Sequence, residues 1–191
     1  MVGLCARPNT EVVGKFTPKL HALERVGVFA LVQGRPYVIE YSVIGDEMAK
    51  LTDESGELHY NHSNLLNFMF RLSFLKREIL NHDILHLLDE KCIVAVKDVK
   101  NYNPITKTIE DSKGCKFEIV AQESLTYCPP EKIFLLESHR KEEFAPIKNS
   151  VKENFDNPET ALSLYCSYHQ TLLEKVGYRF EGRKISISKG R

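Results

Sequence analysis

The chain has 191 residues, of which 42% are hydrophobic, and this is enough apolar material for one compact domain with a buried core. Its 26 Lys and Arg residues balance its 26 Asp and Glu residues, which argues against nucleic acid and membrane surfaces as partners. Five cysteines without a CxxC pair, together with the lack of a signal peptide or a membrane-spanning apolar run, predict a cytoplasmic protein with reduced thiols.

The first predicted elements are a short helical segment over residues 2–6, a strand over 10–16 and a hairpin over 26–43. The hairpin has two β-branched and aromatic runs joined by Gln33-Gly34-Arg35-Pro36. Glu40 lies near the end of its second strand, in a run that is otherwise expected to be buried. A buried carboxylate must find hydrogen-bond donors or be neutralised. Glu40 is therefore either at a strand edge or part of a ligand-binding site.

An asparagine-rich segment follows over residues 59–75. Asn64 precedes an apolar run, and asparagine commonly caps helices, so the preferred interpretation makes Asn64 the N-cap of a short helix. In the alternative interpretation, the side-chain amide of Asn64, which both donates and accepts hydrogen bonds, faces a ligand that offers an amide or hydroxyls.

Apolar spacing over residues 74–90 predicts a helix. His82 and His86 stand four residues apart on it, in the sequence HDILH, which is similar to a zinc-binding HExxH helix. Aspartate replaces the glutamate and no third ligand is evident, so we interpret the two histidines as a solvated pair. No metal site is predicted.

A strand is expected over residues 93–99, and a second hairpin over 105–109 and 117–120 with its turn at 111–114. Lys116 lies at its return strand. Such a lysine usually faces solvent, and its functional interpretation is a contact to phosphate. A short buried strand over 132–137 follows.

Lys148 comes after the proline-containing loop 144–147 at the end of that strand, where α/β sheets tend to place ligand-binding groups, although most lysines are solvated. Asn157, Pro158 and Glu159 then form a helix start, with a cap, a first-turn proline and an acid near the positive end of the helix dipole. The helix is expected to end at Gly177. Together these patterns predict a mixed α/β domain, and they include no nucleophile with its base and no phosphate-binding glycine loop.

Five segments, VIEYS, YNHSNLLNFMFRLSFL, GCKFE, RKEEFAPIKN and DNPETA, follow one another over roughly residues 26–172. They resemble the succession VEYSE, FNAGNI-N-FF-FL, GIKMEKFVFD, REDEFSPLKN and DNPxTAR in the C-terminal half of the eukaryotic UDP-N-acetylhexosamine pyrophosphorylases. The resemblance implies a mixed β-sheet flanked by helices, part of a Rossmann-like, GT-A-like nucleotide-sugar transferase domain. This partial domain would span residues 1–180, followed by a basic tail over 181–191.

The same resemblance implies a uridylyltransferase that joins N-acetylglucosamine 1-phosphate to UTP, with Mg²⁺, and releases pyrophosphate. Such in-line displacement depends chiefly on positioning and charge neutralisation and needs no protein nucleophile. By position, Glu40 and Asn64 match the residues of the family that bind the N-acetylglucosamine ring. Lys116 and Lys148 match lysines near the phosphates linked to the sugar, and so are the implied catalytic residues.

The chain departs from the pattern of the family at several positions. Val43 replaces the closing glutamate of VEYSE, and Ser63 replaces the glycine of NAGN. Val120 and Gln122 replace the aromatic pair of KFVFD, and Leu162 replaces the arginine of DNPxTAR. The glycine-rich uridine and triphosphate loop LxxGxGTxLGxxxPK and the metal-binding aspartate have no counterpart in the chain.

Two hypotheses remain open. In the first, the chain holds the sugar-binding half of a UDP-N-acetylglucosamine pyrophosphorylase and is inactive alone because the nucleotide-binding half is missing. In the second, it is a diverged, non-catalytic relative that acts as a binding or interaction module. If part of a central sheet is absent, we also expect self-association through an uncovered sheet edge.

Overall fold

A computed structural model of the chain describes residues 1–81, 93–118 and 121–180. It forms two compact units, Met1–Leu136 and Glu137–Arg191. The predicted pair His82 and His86, Val120, and the basic tail lie outside the described residues. No helix in the described part of the chain is long and apolar enough to cross a bilayer. The predicted domain boundary at residue 180 stays a prediction.

The first unit is built on a five-stranded sheet with strand order β3-β2-β4-β1-β7. In chain order the elements are α1 (Val2–Cys5), β1 (Val12–Pro18), β2 (Val28–Val32), β3 (Arg35–Ile39), α2 (Asp46–Ala49), β4 (His62–Phe70), α3 (Leu72–Asn81), β5 (Ile93–Asn103), β6 (Thr108–Glu118), two 3₁₀ helices (Ala121–Tyr127 and Pro130–Lys132), β7 (Ile133–Glu137), α4 (Arg140–Glu143) and α5 (Pro158–Lys175). Strands β5 and β6 form a separate two-stranded ribbon.

The sheet is mixed, as predicted. Strand β4 pairs antiparallel with β1 and β2, and β2 pairs antiparallel with β3. The backbone N–H of Glu11, just before β1, donates to the carbonyl of Lys132, just before β7, at 2.9 Å. The starts of β1 and β7 therefore lie side by side, which is the arrangement of parallel neighbours.

The predicted first hairpin is confirmed as β2 and β3. Its turn contains two residues, Gln33 and Gly34, with φ of 52° and 75°, the backbone that a type I′ turn requires. Arg35 and Pro36 belong to β3 and not to the turn, because Arg35 pairs with Val32. This tight turn fixes the register that places Glu40 immediately after β3.

The predicted second hairpin, which paired 105–109 with 117–120 around a turn at 111–114, is wrong; the hairpin that forms pairs β5 with β6. Strand β6 begins at Thr108, and residues 111–114 pair with residues 97–100 of β5. The turn lies at residues 104–107, where Oδ1 of Asn103 accepts the backbone N–H of Ile105 at 2.9 Å. Gly114 does not belong to a turn. It lies where the backbone of β6 passes close to the side chain of Val99, since a Cβ there would lie 3.1 Å from that side chain.

Helices cover both faces of the five-stranded sheet. Val38 and Ile39 are consecutive in β3, so their side chains point to opposite faces. Each packs in a different cluster: Val38 belongs to the buried set Val12, Val38, Phe74, Leu125 and Cys128, and Ile39 packs against the buried set Val28, Ile44 and Ala49. The first cluster packs α3 and the first 3₁₀ helix against one face of the sheet, through Phe74 and Leu125. The second packs α2 against the other face, through Ala49. The predicted α/β class is thereby confirmed.

The second unit contains α5, whose predicted start is confirmed. Oδ1 of Asn157 accepts the backbone N–H of Thr160 at 2.8 Å, and Oγ1 of Thr160 accepts the backbone N–H of Asn157 at 2.9 Å. Pro158 is the first helical residue. The helix ends at Lys175, and Gly177 has a φ of 96°, which glycine adopts without strain.

A buried carboxylate connects three elements of the first unit. Glu11 is 9% exposed, and its two oxygens accept from Nη1 and Nη2 of Arg77, on α3, at 3.0 and 2.9 Å. Nζ of Lys132, just before β7, donates to the same carboxylate at 3.2 Å. The hydrogen bonds from Arg77 are the largest influence that holds the pKa of Glu11 below its ordinary value.

Glu11→Gln tests this network through the pH dependence of folding. Because the pKa of Glu11 is lower in the folded than in the unfolded chain, its stabilisation is complete above the unfolded pKa and is lost as the pH falls through the folded one. We expect Glu11→Gln to lower the free energy of unfolding at pH 7 by about 2 kcal/mol. The difference from wild type should shrink below about pH 4.

Urea unfolding at pH 7, 5, 4 and 3 measures this, with Glu47→Gln, an exposed acid of α2, as the matched control. A difference between wild type and Glu11→Gln that stays constant across this pH series would contradict the assignment.

Candidate functional site

Glu40, Gln122 and Asn64 form a continuous hydrogen-bonded chain in the first unit, which we call the polar bridge. Nε2 of Gln122 donates to Oε1 of Glu40 at 2.6 Å. Oε1 of Gln122 accepts from Nδ2 of Asn64 at 2.8 Å. The structure therefore brings together both predicted sugar-binding residues through a third side chain.

Asn64 is positioned by β4, so its interpretation as a helix N-cap is wrong. Its backbone pairs with Phe16 of β1 and donates its N–H to the carbonyl of Gly27 at 2.8 Å. The register between β1 and β4 then shifts, and Leu66 has a φ of 57°. Oδ1 of Asn64 accepts the N–H of Leu66 at 2.9 Å. Asn64 thus caps a β-bulge instead of a helix.

Glu40 is positioned by the end of β3 and by the glycine opposite it. The pairing of Val28 with Ile39 places Gly27 beside Glu40. A Cβ added at Gly27 would lie 3.1 Å from Oε1 of Glu40 and 2.9 Å from Cγ1 of Val38. The missing side chain of Gly27 therefore leaves the space in which the carboxylate of Glu40 lies.

Gln122 is positioned by the first 3₁₀ helix. Side chains three residues apart eclipse in a 3₁₀ helix, so Gln122 and Leu125 project from the same side. Leu125 is 1% exposed within the core, and Gln122 is 3% exposed. The burial of Leu125 against the sheet thus directs the amide of Gln122 toward Glu40 and Asn64.

Gln122 is the site residue that sequence reasoning missed. The sequence shows Gln122 only as a departure from the aromatic pair of KFVFD, and that departure does not reveal its hydrogen-bonding role. The available signal was a polar side chain at a position where the family motif has an aromatic ring, since such a position is expected to be enclosed and a buried amide needs partners.

Tyr37 adds a further polar group beside the bridge. It lies on β3 and forms a side-chain hydrogen bond with Glu123 of the 3₁₀ helix. Burial raises the pKa of the Tyr37 phenol, and the carboxylates of Glu123 and Glu40 raise it further. The phenol therefore stays protonated at neutral pH and acts as a hydrogen-bond donor.

The two predicted catalytic lysines lie in other parts of the chain. Lys116 is in β6, where its backbone pairs with Ala95. Lys148 is in the second unit, at the start of a loop closed by two hydrogen bonds to the carbonyl of Asp156, from the N–H of Lys148 at 2.7 Å and that of Asn149 at 2.9 Å. The role of both lysines at phosphate stays a prediction.

Mg²⁺ is the metal that the resemblance implies, and its binding by this chain stays a prediction. No three His, Cys, Asp or Glu side chains within residues 1–81, 93–118 and 121–180 could hold a metal ion together.

Sequence comparisons relate the chain to a group of nucleotide-sugar enzymes. No family model matches the chain. It is 30% identical over 184 residues to the UDP-N-acetylglucosamine pyrophosphorylase of Saccharomyces cerevisiae, a match that covers 92% of this chain and 37% of the yeast protein. It is 32% identical over 181 residues to human UDP-N-acetylhexosamine pyrophosphorylase-like protein 1, covering 94% of this chain and 34% of the human one. The chain thus spans about a third of the length of these relatives.

Solved structures give the same relation. A candidate UDP-N-acetylglucosamine pyrophosphorylase from Entamoeba histolytica superposes with a TM-score of 0.74 at 26% identity, covering 93% of this chain and 42% of that one. The uridine diphosphate N-acetylglucosamine pyrophosphorylase of Trypanosoma brucei, in complex with an inhibitor, gives a TM-score of 0.68 at 26% identity, covering 87% of this chain and 31% of that one. The fold described above is shared with both.

Gly27→Ala tests the geometry of the site without removing a polar group. The added methyl group would crowd Val38 and Glu40, so we expect the free energy of unfolding to fall by about 1–3 kcal/mol. The side-chain amide resonances of Gln122 should shift in a ¹⁵N–¹H NMR spectrum, because its partner Glu40 is displaced.

The matched control is Gly3→Ala in α1, where an added Cβ would meet no atom within 4 Å. Unchanged stability and unchanged Gln122 resonances in Gly27→Ala would show that Glu40 does not depend on the space at Gly27.

Proposed function

Because this chain belongs to the UDP-N-acetylhexosamine pyrophosphorylase family, we propose that it provides the sugar-binding part of a uridylyltransferase that makes UDP-N-acetylglucosamine from UTP and N-acetylglucosamine 1-phosphate. The observation that carries the proposal is the convergence of Glu40 and Asn64 on one enclosed amide, that of Gln122. Two polar side chains, one directly after β3 and one in β4, fixed at a common point, form the kind of rigid arrangement that recognises a polyhydroxylated ligand.

Glu40 is the proposed primary contact to the sugar. It is only partly buried, and the described residues provide no hydrogen bond to its second oxygen, Oε2. A carboxylate oxygen that is open on one side accepts hydrogen bonds from ring hydroxyls, and such bonds are strong because the acceptor is charged. Asn64 would contribute its Nδ2 donor to the same sugar.

The proposed chemistry is the in-line displacement of pyrophosphate from UTP by the phosphate of the sugar. Lys116 and Lys148 are proposed to neutralise charge on the phosphates, a role that requires a point charge and no covalent step. Glu40 and Asn64 would contribute by positioning the sugar, since correct orientation alone supplies a large part of the rate in such reactions. Mg²⁺ would supply further charge neutralisation when bound.

We expect the isolated 191-residue chain to release no pyrophosphate from UTP and N-acetylglucosamine 1-phosphate with Mg²⁺. Nothing similar to the glycine-rich nucleotide loop of the family occurs in its sequence, so UTP would not be held. A coupled pyrophosphate assay on pure protein measures this, with the full-length yeast relative as the positive control. Turnover that scales with the concentration of the chain would refute the expectation.

Binding of UDP-N-acetylglucosamine, measured by isothermal titration calorimetry, tests the proposed sugar site directly. Loss of one hydrogen bond to a charged group weakens affinity about ten-fold or more, and we expect that effect for Glu40→Ala. Asn64→Ala should also weaken binding, but its unfolding curve must be measured alongside because Asn64 caps the bulge at Leu66.

The matched control for Glu40→Ala is Glu47→Ala, which removes an exposed acid from α2 and should bind as wild type does. Equal affinity in wild type and Glu40→Ala would remove Glu40 from the site.

A second candidate function is a non-catalytic binding or interaction module. One observation favours it: the side chains of Glu40, Gln122 and Asn64 already form hydrogen bonds with one another without a ligand. Under this alternative a folded chain binds no nucleotide sugar, and its partners are proteins. The calorimetric titration therefore separates the two functions.

A further inference from the structure

We propose that Gln122 is an internal competitor of the sugar, so that a ligand reaches Asn64 and fully engages Glu40 only by displacing the carboxamide of Gln122. This inference rests on the proposed function, because it concerns the same site. Gln122 thereby sets the affinity of the site for the sugar. It also selects for ligands that can displace its carboxamide.

The first argument is that Gln122 already occupies the hydrogen-bonding groups a sugar would need. Its Nε2 donates to Oε1 of Glu40 at 2.6 Å, and its Oε1 accepts from Nδ2 of Asn64 at 2.8 Å. One donor and one acceptor, side by side on a single planar group, therefore span the distance between the two proposed sugar-binding residues.

The second argument is that both polar side-chain atoms of Asn64 are engaged and the residue is enclosed. Its Oδ1 is committed to the N–H of Leu66 at 2.9 Å, where it caps the bulge of β4. Its Nδ2 donates to Gln122, and Asn64 as a whole is 6% exposed. A ligand approaching from solvent therefore meets Glu40, which is partly buried, but not Asn64.

The third argument is that the backbone of Gln122 is anchored while its side chain can rotate. Leu125, 1% exposed, holds the 3₁₀ helix in the core that contains Val38 and Phe74. Rotation about the side-chain bonds of Gln122 can break both hydrogen bonds without moving this anchor. A ligand that replaces both bonds leaves Glu40 and Asn64 satisfied, whereas a ligand that replaces one leaves a buried polar group unsatisfied.

This exchange defines the chemistry of the ligand. The ligand must present a hydrogen-bond donor to Glu40 and an acceptor to Asn64 at the separation found in a carboxamide. Adjacent hydroxyls of a hexose, or an acetamido group beside a hydroxyl, have this pattern. A ligand with a single polar group lacks it and should not open the site.

Calorimetric titration of UDP-N-acetylglucosamine into wild type, Gln122→Ala and the double variant Gln122→Ala/Glu40→Ala tests the inference. Gln122→Ala removes the competitor, so we expect it to bind at least ten-fold tighter than wild type. The double variant should lose this gain, because the freed site then lacks its carboxylate. Gln122→Met keeps the length of the side chain without either hydrogen bond, and it should also gain affinity without opening a cavity.

A second readout follows the bridge itself in the wild-type chain. Buried, hydrogen-bonded amide protons exchange slowly with solvent, so the side-chain amide protons of Gln122 should be protected in the free protein. Saturation with UDP-N-acetylglucosamine should shift their resonances and reduce their protection. Protection that persists in the saturated complex overturns the inference, because the bridge would then be intact with ligand bound.

The remaining outcomes separate the inference from the function on which it rests. If wild type binds and both Gln122 variants bind equally or more weakly, Gln122 is a contact or a support, and the competition is refuted while the proposed function stands. If wild type, Gln122→Ala and Gln122→Met are all folded and none binds, the proposed function fails and the inference fails with it. Near-ultraviolet circular dichroism establishes folding in each case.

Discussion

The carboxylate of Glu11 is the interaction on which the rest of the first unit depends. This carboxylate joins β1 to α3 through Arg77 and to the start of β7 through Lys132. The backbone carbonyl of Glu11 also accepts the N–H of Arg71 at 2.8 Å. The thiol of Cys128 also points at the carboxylate, 3.9 Å from Oε2. Burial raises the pKa of Cys128 to about 12, so this sulfur remains a protonated donor and not a reactive thiolate.

The first 3₁₀ helix connects the contacts of Glu11 to the candidate site. The backbone N–H of Cys128 donates to the carbonyl of Leu125 at 2.9 Å, and both side chains belong to the core beneath the sheet. Leu125 in turn directs Gln122, three residues before it, toward Glu40 and Asn64. The position of the polar bridge is therefore a consequence of how a buried acid and a buried leucine fix one short helix.

The polar bridge depends on a departure of this chain from the motif that it resembles. The motif that the chain resembles has an aromatic residue where Gln122 stands, and an aromatic ring could not form this bridge with Glu40 and Asn64. Here a carboxamide donates to the acid and accepts from the amide, so the three polar side chains are hydrogen-bonded to one another without a ligand. A buried polar group left without a partner is costly. The carboxamide of Gln122 therefore requires its hydrogen bonds to Glu40 and Asn64.

The sequence by itself determined the hairpin around Gly34, the helix start at Asn157 and the mixed α/β class, because turn chemistry, caps and hydrophobic patterning are local. It also identified Glu40 and Asn64 as unusual polar residues. Only the tertiary structure decided that Asn64 caps a bulge in a strand, since pairing with β1 outweighs the local preference of asparagine for helix caps. The hydrogen bonds of Gln122 could likewise not be predicted from the sequence. Gln122 is 58 positions from Asn64 and 82 from Glu40, and only tertiary packing brings these side chains together.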